Sequence, residues 1–309
     1  MLVFQSVIFA LGSLVATAVA FTNPIKSKDG SSTDLTSTTW TNVQITRAAT
    51  IEGLKTTIPK VIWTDTTASR CCKFWAPEIH FTAGSANTYD DQRIHVLEGS
   101  SVNIWDSTWS YLGMITAPNR GDVWSIDSSI LFHGHHTYLI YSTFDGPADQ
   151  CIYIAQLSNA YIAGNATKIS TPTYSWEREG ADFGVNEGPV MIYHKGRSWL
   201  HFSASYCGGT GYKLGRLELT GSDPLLESSW TKYPSPVFVT ANGVYQPGHN
   251  GFFTAPSGAI WNVYHANFNT PGSCDGSRYT AVQPVNWFSD GTPDLGSPIA
   301  LGTEIAEPL

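Results

Sequence analysis

Three stretches of this 309-residue chain are variations on one theme, and nothing else in it limits the fold as much. Asp127 opens Ser128-Ser129-Ile130-Leu131-Phe132, a His133-Gly134-His135-His136 turn, then Thr137-Tyr138-Leu139-Ile140-Tyr141-Ser142. Glu187 opens Gly188-Pro189-Val190-Met191-Ile192-Tyr193, a His194-Lys195-Gly196-Arg197 turn, then Ser198-Trp199-Leu200-His201-Phe202-Ser203. His249-Asn250 precede Gly251-Phe252-Phe253-Thr254, an Ala255-Pro256-Ser257-Gly258 turn, then Ala259-Ile260-Trp261-Asn262-Val263-Tyr264-His265. Each unit is a polar lead, a strand, a glycine-containing turn and an aromatic strand, recurring roughly every sixty residues. Long amphipathic helical patterns are absent, so the chain reads as all-β. A strand-only period of that length suits the blades of a β-propeller, and about five such units fill the chain. A β-sandwich is the alternative, and it would leave the spacing a coincidence.

In a propeller the innermost strand of each blade lines a central channel, so residues that open those strands converge at one mouth. Asp127, Glu187 and His249 are therefore expected to meet. Three titratable groups in one concave, aromatic-rimmed site is the arrangement acid/base catalysis requires.

Composition supports an ordered domain. Charged residues make up 14% and aromatics 13%, the reverse of what disorder needs. Seventeen Lys and Arg against 25 Asp and Glu leave a net charge of −8, which gives no counterion-release drive toward nucleic acid. Met1 to Ala20 is apolar, uncharged and closes on Ala18-Val19-Ala20, so it reads as a secretory leader ahead of a single domain over 21–309. No later stretch reaches the ~18 apolar residues of a membrane span. Five cysteines, Cys71, Cys72, Cys151, Cys207 and Cys274, suit an oxidising compartment, and an odd count leaves one over. Adjacent Cys71 and Cys72 are poorly placed to bond to each other, so bridges are expected to reach across the fold. The sequon Asn165-Ala166-Thr167 is expected in a surface loop.

Four runs carry a resemblance: Phe74-Trp75-Ala76-Pro77-Glu78-Ile79-His80, Ser125-Ile126-Asp127, Val185-Asn186-Glu187-Gly188-Pro189 and Gly248-His249-Asn250-Gly251-Phe252-Phe253. In this order and at blade spacing the chain resembles glycoside hydrolase family 43, most of all its secreted arabinofuranosidase and arabinanase members. The resemblance implies a five-bladed propeller, acting as a monomer on plant cell-wall polysaccharide and inverting the anomeric centre. It makes Glu187 the general acid and Asp127 the residue that tunes it. Trp75 would wall the sugar pocket, Arg278 would reach a sugar hydroxyl, and Asn186 would bond to substrate. No cofactor is implied, while His249 would sit beside a calcium ion or a water cluster in the channel. Each has a plainer reading as well: a turn cap for Asp127, a solvated strand start for Glu187, core packing for His249 and Trp75, a surface ion pair for Arg278.

The chain departs from that family where the general base belongs. Lys28-Asp29-Gly30-Ser31 runs straight into Ser32-Thr33-Asp34, without the Asp-Pro pair and strand that family members carry there. Asp29 and Asp34 are the nearest remaining carboxylates, and neither sits in the right motif. Between His80 and Phe81 a turn and most of a strand are missing by comparison with the other units, so two blades are expected to lack a hairpin each. Either coding pieces were lost from the sequence or a variant has lost its base. The second case would make the chain a carbohydrate-binding propeller without turnover.

Overall fold

The computed structural model describes residues 20–25, 36–38, 41–71, 74–78, 82–84, 91–146 and 149–308. After β1 (Ala20–Thr22), five antiparallel sheets follow one another along the chain. The first holds β2 (Thr36–Thr38), β3 (Asn42–Ile45) and β4 (Lys60–Thr64), with the short helix α1 (Ile51–Leu54) between the last two. The second holds β5 (Trp75–Glu78), β6 (Thr82–Gly84), β7 (Ile94–Gly99) and β8 (Trp109–Met114). The third is β9 (Ser125–His133), β10 (His136–Asp145), β11 (Asp149–Asn159) and β12 (Ile162–Ser170). The fourth is β13 (Asn186–His194), β14 (Arg197–Ala204), β15 (Lys213–Leu219) and β16 (Trp230–Lys232). The fifth is β17 (Tyr245–Thr254), β18 (Ile260–Asn267) and β19 (Tyr279–Pro284), followed by a β20 (Asn286–Trp287) and β21 (Pro293–Asp294) pair. The first strands β2, β5, β9, β13 and β17 lie successively against one another, as the inner strands of a propeller do.

The sheets stack face to face, and strand alternation divides each strand between two neighbours. In the third sheet Leu139, Tyr141, Cys151, Tyr153 and Ala155 pack toward Ile94, Val96 and Ile115 of the second. The residues between them, Tyr138, Ile140, Ile152 and Ile154, pack toward Leu200, Phe202 and Leu217 of the fourth. This is why the middle strands read as nearly unbroken apolar runs. The turn joining β13 to β14 shows the local chemistry: Lys195 at φ 49° and Gly196 at φ 78° form a two-residue loop of left-handed backbone conformation, whose twist matches the right-handed twist of the strands.

The ring is closed by the amino-terminal segment. β1 pairs with β22 (Glu304–Ala306), Ile25 bridges to Thr280, and the buried Asn23 amide both donates to and accepts from the backbone of Val282 at 2.9 Å. Phe21 and Ile25 pack with Ile51, Leu54, Trp261 and Ile305, so the exposed edge of the three-stranded fifth sheet is covered.

Two expectations change here. Among the described residues the first sheet holds three strands and the second four. The first hairpin of the second sheet is shortened rather than missing: Trp75 pairs with Gly84, whereas in the fourth sheet Asn186 pairs with Ala204. The sequon lies on an exposed part of edge strand β12 instead of a loop. Cys207 and Cys274 form a disulfide between the loops after β14 and β18, and Cys151 is buried and unpaired. Cys72, the supposed leader up to Val19, and the joins at Ser31 and His80 lie outside the described residues. No helix among the described residues is long and apolar enough to cross a membrane.

Candidate active site

The same backbone device opens the inner strands of the third, fourth and fifth sheets. Each pairing slips by a bulge near its start, between Ile140 and Ser142, between Glu187 and Val190, and between Gly248 and Gly251. At each bulge one residue takes a left-handed conformation: Asp127 at φ 54°, Gly188 at φ 55° and His249 at φ 45°. A bulge bends a strand and re-aims a side chain, and here it turns three of them toward the axis. Left-handed backbone in Asp and His is uncommon and stores strain, which clusters at functional sites.

The trio that the repeats predicted does converge. Ligand-type atoms of Asp127, Glu187 and His249 all lie within 4.8 Å of one another, with His249 Nδ1 3.9 Å from Asp127 Oδ2. The register differs by one residue from the sequence reading: the equivalent of Asp127 and His249 in the fourth sheet is Gly188, and Glu187 stands one position earlier. A side chain at Gly188 would meet His249 Nδ1 and Ser203 Oγ, each 3.4 Å from a built Cβ.

Burial and charge decide the protonation of the two carboxyls. The Asp127 side chain is 4% exposed, and desolvation pushes its pKa up to about 7 against the Gly188 N–H, which donates to Oδ2 at 3.1 Å, and the Arg278 charge. Glu187 is raised by burial first and by the Asp127 charge second. Burial raises both carboxyls, and at Glu187 the neighbouring Asp127 charge adds to it, since a like charge in a desolvated pocket disfavours ionisation. Opposing this, Tyr212 donates its O–H to Glu187 Oε1 at 2.7 Å and Gln150 donates from Nε2 to Oε2 at 3.1 Å.

Other predicted site residues fare differently. Arg278 stands on the turn before β19, half-buried, and its charge reaches both Asp127 and Tyr212. Asn186 does not face the site. Adjacent strand residues point to opposite faces, and the Asn186 amide donates to Glu177 at 3.0 Å while its oxygen accepts from Ser170 at 2.6 Å and Lys232 at 3.2 Å. It anchors the start of β13 instead of binding substrate. The side chain of Trp75, and Asp29 and Asp34, lie outside the described residues.

Tyr212, Gln150 and Ser203 were missed from sequence. Tyr212 ends the glycine-rich Gly208-Gly209-Thr210-Gly211 loop, a signal of close backbone approach, whereas Gln150 sits in a middle strand and carries no mark.

Among the described residues, this same trio is the one group of His, Cys, Asp and Glu side chains able to hold a metal ion. It does not suit calcium, which takes six to eight oxygen ligands. Here one of three donors is a nitrogen, and both Glu187 oxygens already accept hydrogen bonds. His249 is better described as a neighbour of Asp127 than as a calcium ligand.

The oxygens of Asp127 and Glu187 are too close to hold a catalytic water between them, since an inverting acid and base stand about 6.5–9.5 Å apart. Their arrangement fits a protonated acid beside a carboxyl that governs it.

Comparison with known proteins agrees with this geometry. An α-L-arabinofuranosidase crystal structure from Lactobacillus brevis superposes with a TM-score of 0.77 at 28% identity, covering 85% of this chain and 89% of that one. The extracellular exo-α-(1→5)-L-arabinofuranosidase of Streptomyces avermitilis is 34% identical across 92% of this chain, and α-L-arabinofuranosidase 43 of Humicola insolens is 34% identical across 84%. The chain spans 65% and 57% of the lengths of those two relatives. The family model for glycosyl hydrolases family 43 matches residues 22–293, from β1 to β21, and with the propeller and its buried carboxyl pair this places the chain in that family.

Proposed function

We propose that this chain hydrolyses α-L-arabinofuranosyl linkages in arabinan or arabinose-substituted plant polysaccharide, inverting the anomeric centre. The observation that carries this reading is the buried Glu187 beside Asp127 in a chain 34% identical to two proteins named as arabinofuranosidases. Glu187 protonates the leaving oxygen. Asp127, through its charge and its contact with the Gly188 N–H, keeps Glu187 protonated until the bond breaks. Arg278 supplies a cation at the same mouth, suited to a sugar hydroxyl. The chemistry needs two carboxyl groups and water and asks for no cofactor. No residue of the sequence fills the motif of the base that would activate the water; Asp29 and Asp34, after Pro24, are the nearest remaining carboxylates and neither sits in that motif. Secretion belongs to the same proposal, supported by the Cys207–Cys274 bridge, the exposed Asn165 and two relatives named extracellular.

The test is release of arabinose from arabinan and from 4-nitrophenyl α-L-arabinofuranoside, with the first-formed anomer read by proton NMR. Hydrolysis with inversion, lost from arabinan in Glu187→Gln, is the expected result. A second reading, carbohydrate binding without turnover, is favoured by the missing Asp-Pro pair. Binding of arabino-oligosaccharide with no release by the wild-type chain would establish it and end the first.

A further inference from the structure

Two hydrogen-bond chains end on Glu187. The first begins at the backbone N–H of His249, which can only donate and does so to Ser203 Oγ at 2.6 Å. That leaves the Ser203 hydrogen for Tyr212, whose own O–H then goes to Glu187 Oε1 at 2.7 Å. The second is fixed from its far end. Ser142 spends its hydrogen on the Asn186 carbonyl at 2.8 Å, so it must accept from Gln150 Nε2 at 2.9 Å. The remaining hydrogen of that amide points to Glu187 Oε2 at 3.1 Å, and the amide cannot turn over without losing both bonds. The Tyr212 ring has a seat cut for it: a Cβ on Gly248 would lie 2.2 Å from Tyr212 Cε1.

We propose that Tyr212, held by Gly248 and Ser203, and secondarily Gln150, are positioning residues that present Glu187 with donors on both oxygens and so stabilise the carboxylate left after proton transfer. The proposal rests on Glu187 as the general acid. Burial and Asp127 keep the proton on; the two donors make it leave readily when a glycosidic oxygen is in place to take it. The groups facing Glu187 are Asp127 from β9, Gln150 from β11, Tyr212 from the loop before β15 and His249 from β17, with Arg278 acting on Asp127 and Tyr212. Tyr212 is the strongest of the neutral donors by distance.

The experiment is a carbon-13 NMR titration of the glutamate δ-carbons, with the Glu187 signal identified by its loss in Glu187→Gln. It is repeated in an Asp127→Asn background, where the coupled partner no longer titrates. In Tyr212→Phe, which retains the ring against Gly248, the Glu187 midpoint should rise by about one to two pH units, the worth of one hydrogen bond to a charged group. Gln150→Leu should move it less, in the same direction. The alkaline limb of kcat/KM should follow, with arabinan affected more than the activated aryl glycoside. A midpoint that stays put or falls in a Tyr212→Phe protein of native melting temperature overturns the proposal. Should that variant fail to fold, the midpoints of Gln150→Leu and Ser203→Ala decide, upward for the proposal and unmoved against it. Undiminished arabinan hydrolysis by Glu187→Gln would instead remove the general-acid reading, an outcome separate from any shift in the titration.

Discussion

The third, fourth and fifth sheets and the first two obey the same plan with different amounts of material. In the former, hairpins such as Ser125 to Thr143 and Asn186 to Ala204 are long enough to bury both faces, and continuous apolar clusters run between the sheets. In the latter, β5 and β6 are four and three residues long, and near β4 Ile58 and Val61 remain 69% and 48% exposed. Among the described residues, no buried apolar cluster joins the first sheet to the second. The difference separates the chemistry too. Asp127, Glu187, His249 and Arg278 all belong to the third, fourth and fifth sheets and the turn before β19, while the described strands of the first two sheets are fewer and shorter. Because each blade is packed mainly by its own neighbours, one side of a propeller can be built more sparsely than the other.

The sharpest way to break this contrast is to restore the thin side. A strand-length insert carrying an Asp-Pro pair between Ser31 and Ser32 should raise arabinose release by about 10²–10⁴-fold, the usual worth of a positioned base, and Glu187→Gln in that background should abolish the gain. Next come the cores. Phe202→Ala, wholly buried between the third and fourth sheets, should cost about 3–5 kcal/mol in denaturant unfolding, while Val61→Ala on β4 should stay within about 0.5 kcal/mol. Equal losses at the two positions would mean that the sheets are packed alike after all.

Gly188→Ala should destabilise by about 1–2 kcal/mol, because its φ of 55° excludes a Cβ at ordinary cost. It should also lower kcat by displacing His249 and Ser203. The last effect concerns pH. Asp127 binds its proton more tightly in the folded chain, with a pKa of about 7 against the ordinary 3.8 of an aspartate. Stability from this group is therefore full below about pH 4 and is lost as pH rises through about 7. Asp127→Asn carries no such proton, so its melting temperature should be flatter across that window than the wild type's.

Much of this was readable from the residues, for definite physical reasons. Strand, turn and aromatic strand repeat because every blade solves the same packing problem, so the propeller and the meeting of Asp127, Glu187 and His249 followed from spacing. The one-residue offset between Asp127 and Glu187 did not. A bulge consumes a residue by turning the backbone left-handed, and side-chain polarity carries no record of that turn. Asn186 was misread for an avoidable reason: beside Glu187 in a strand means on the opposite face. Tyr212 and Gln150 stand outside the repeated positions altogether, brought to the acid by a loop and a middle strand that no periodicity marks.

Asn23 grips Val282 across 259 positions of chain, and β1 pairs with β22. During synthesis the first segment therefore emerges long before the strand it must join. Phe21 and Ile25 can complete their packing only once Trp261, Val282 and Ile305 have been made. Closure is a late event that couples the two ends, so a chain interrupted anywhere before β19 loses the latch as well as its last blade.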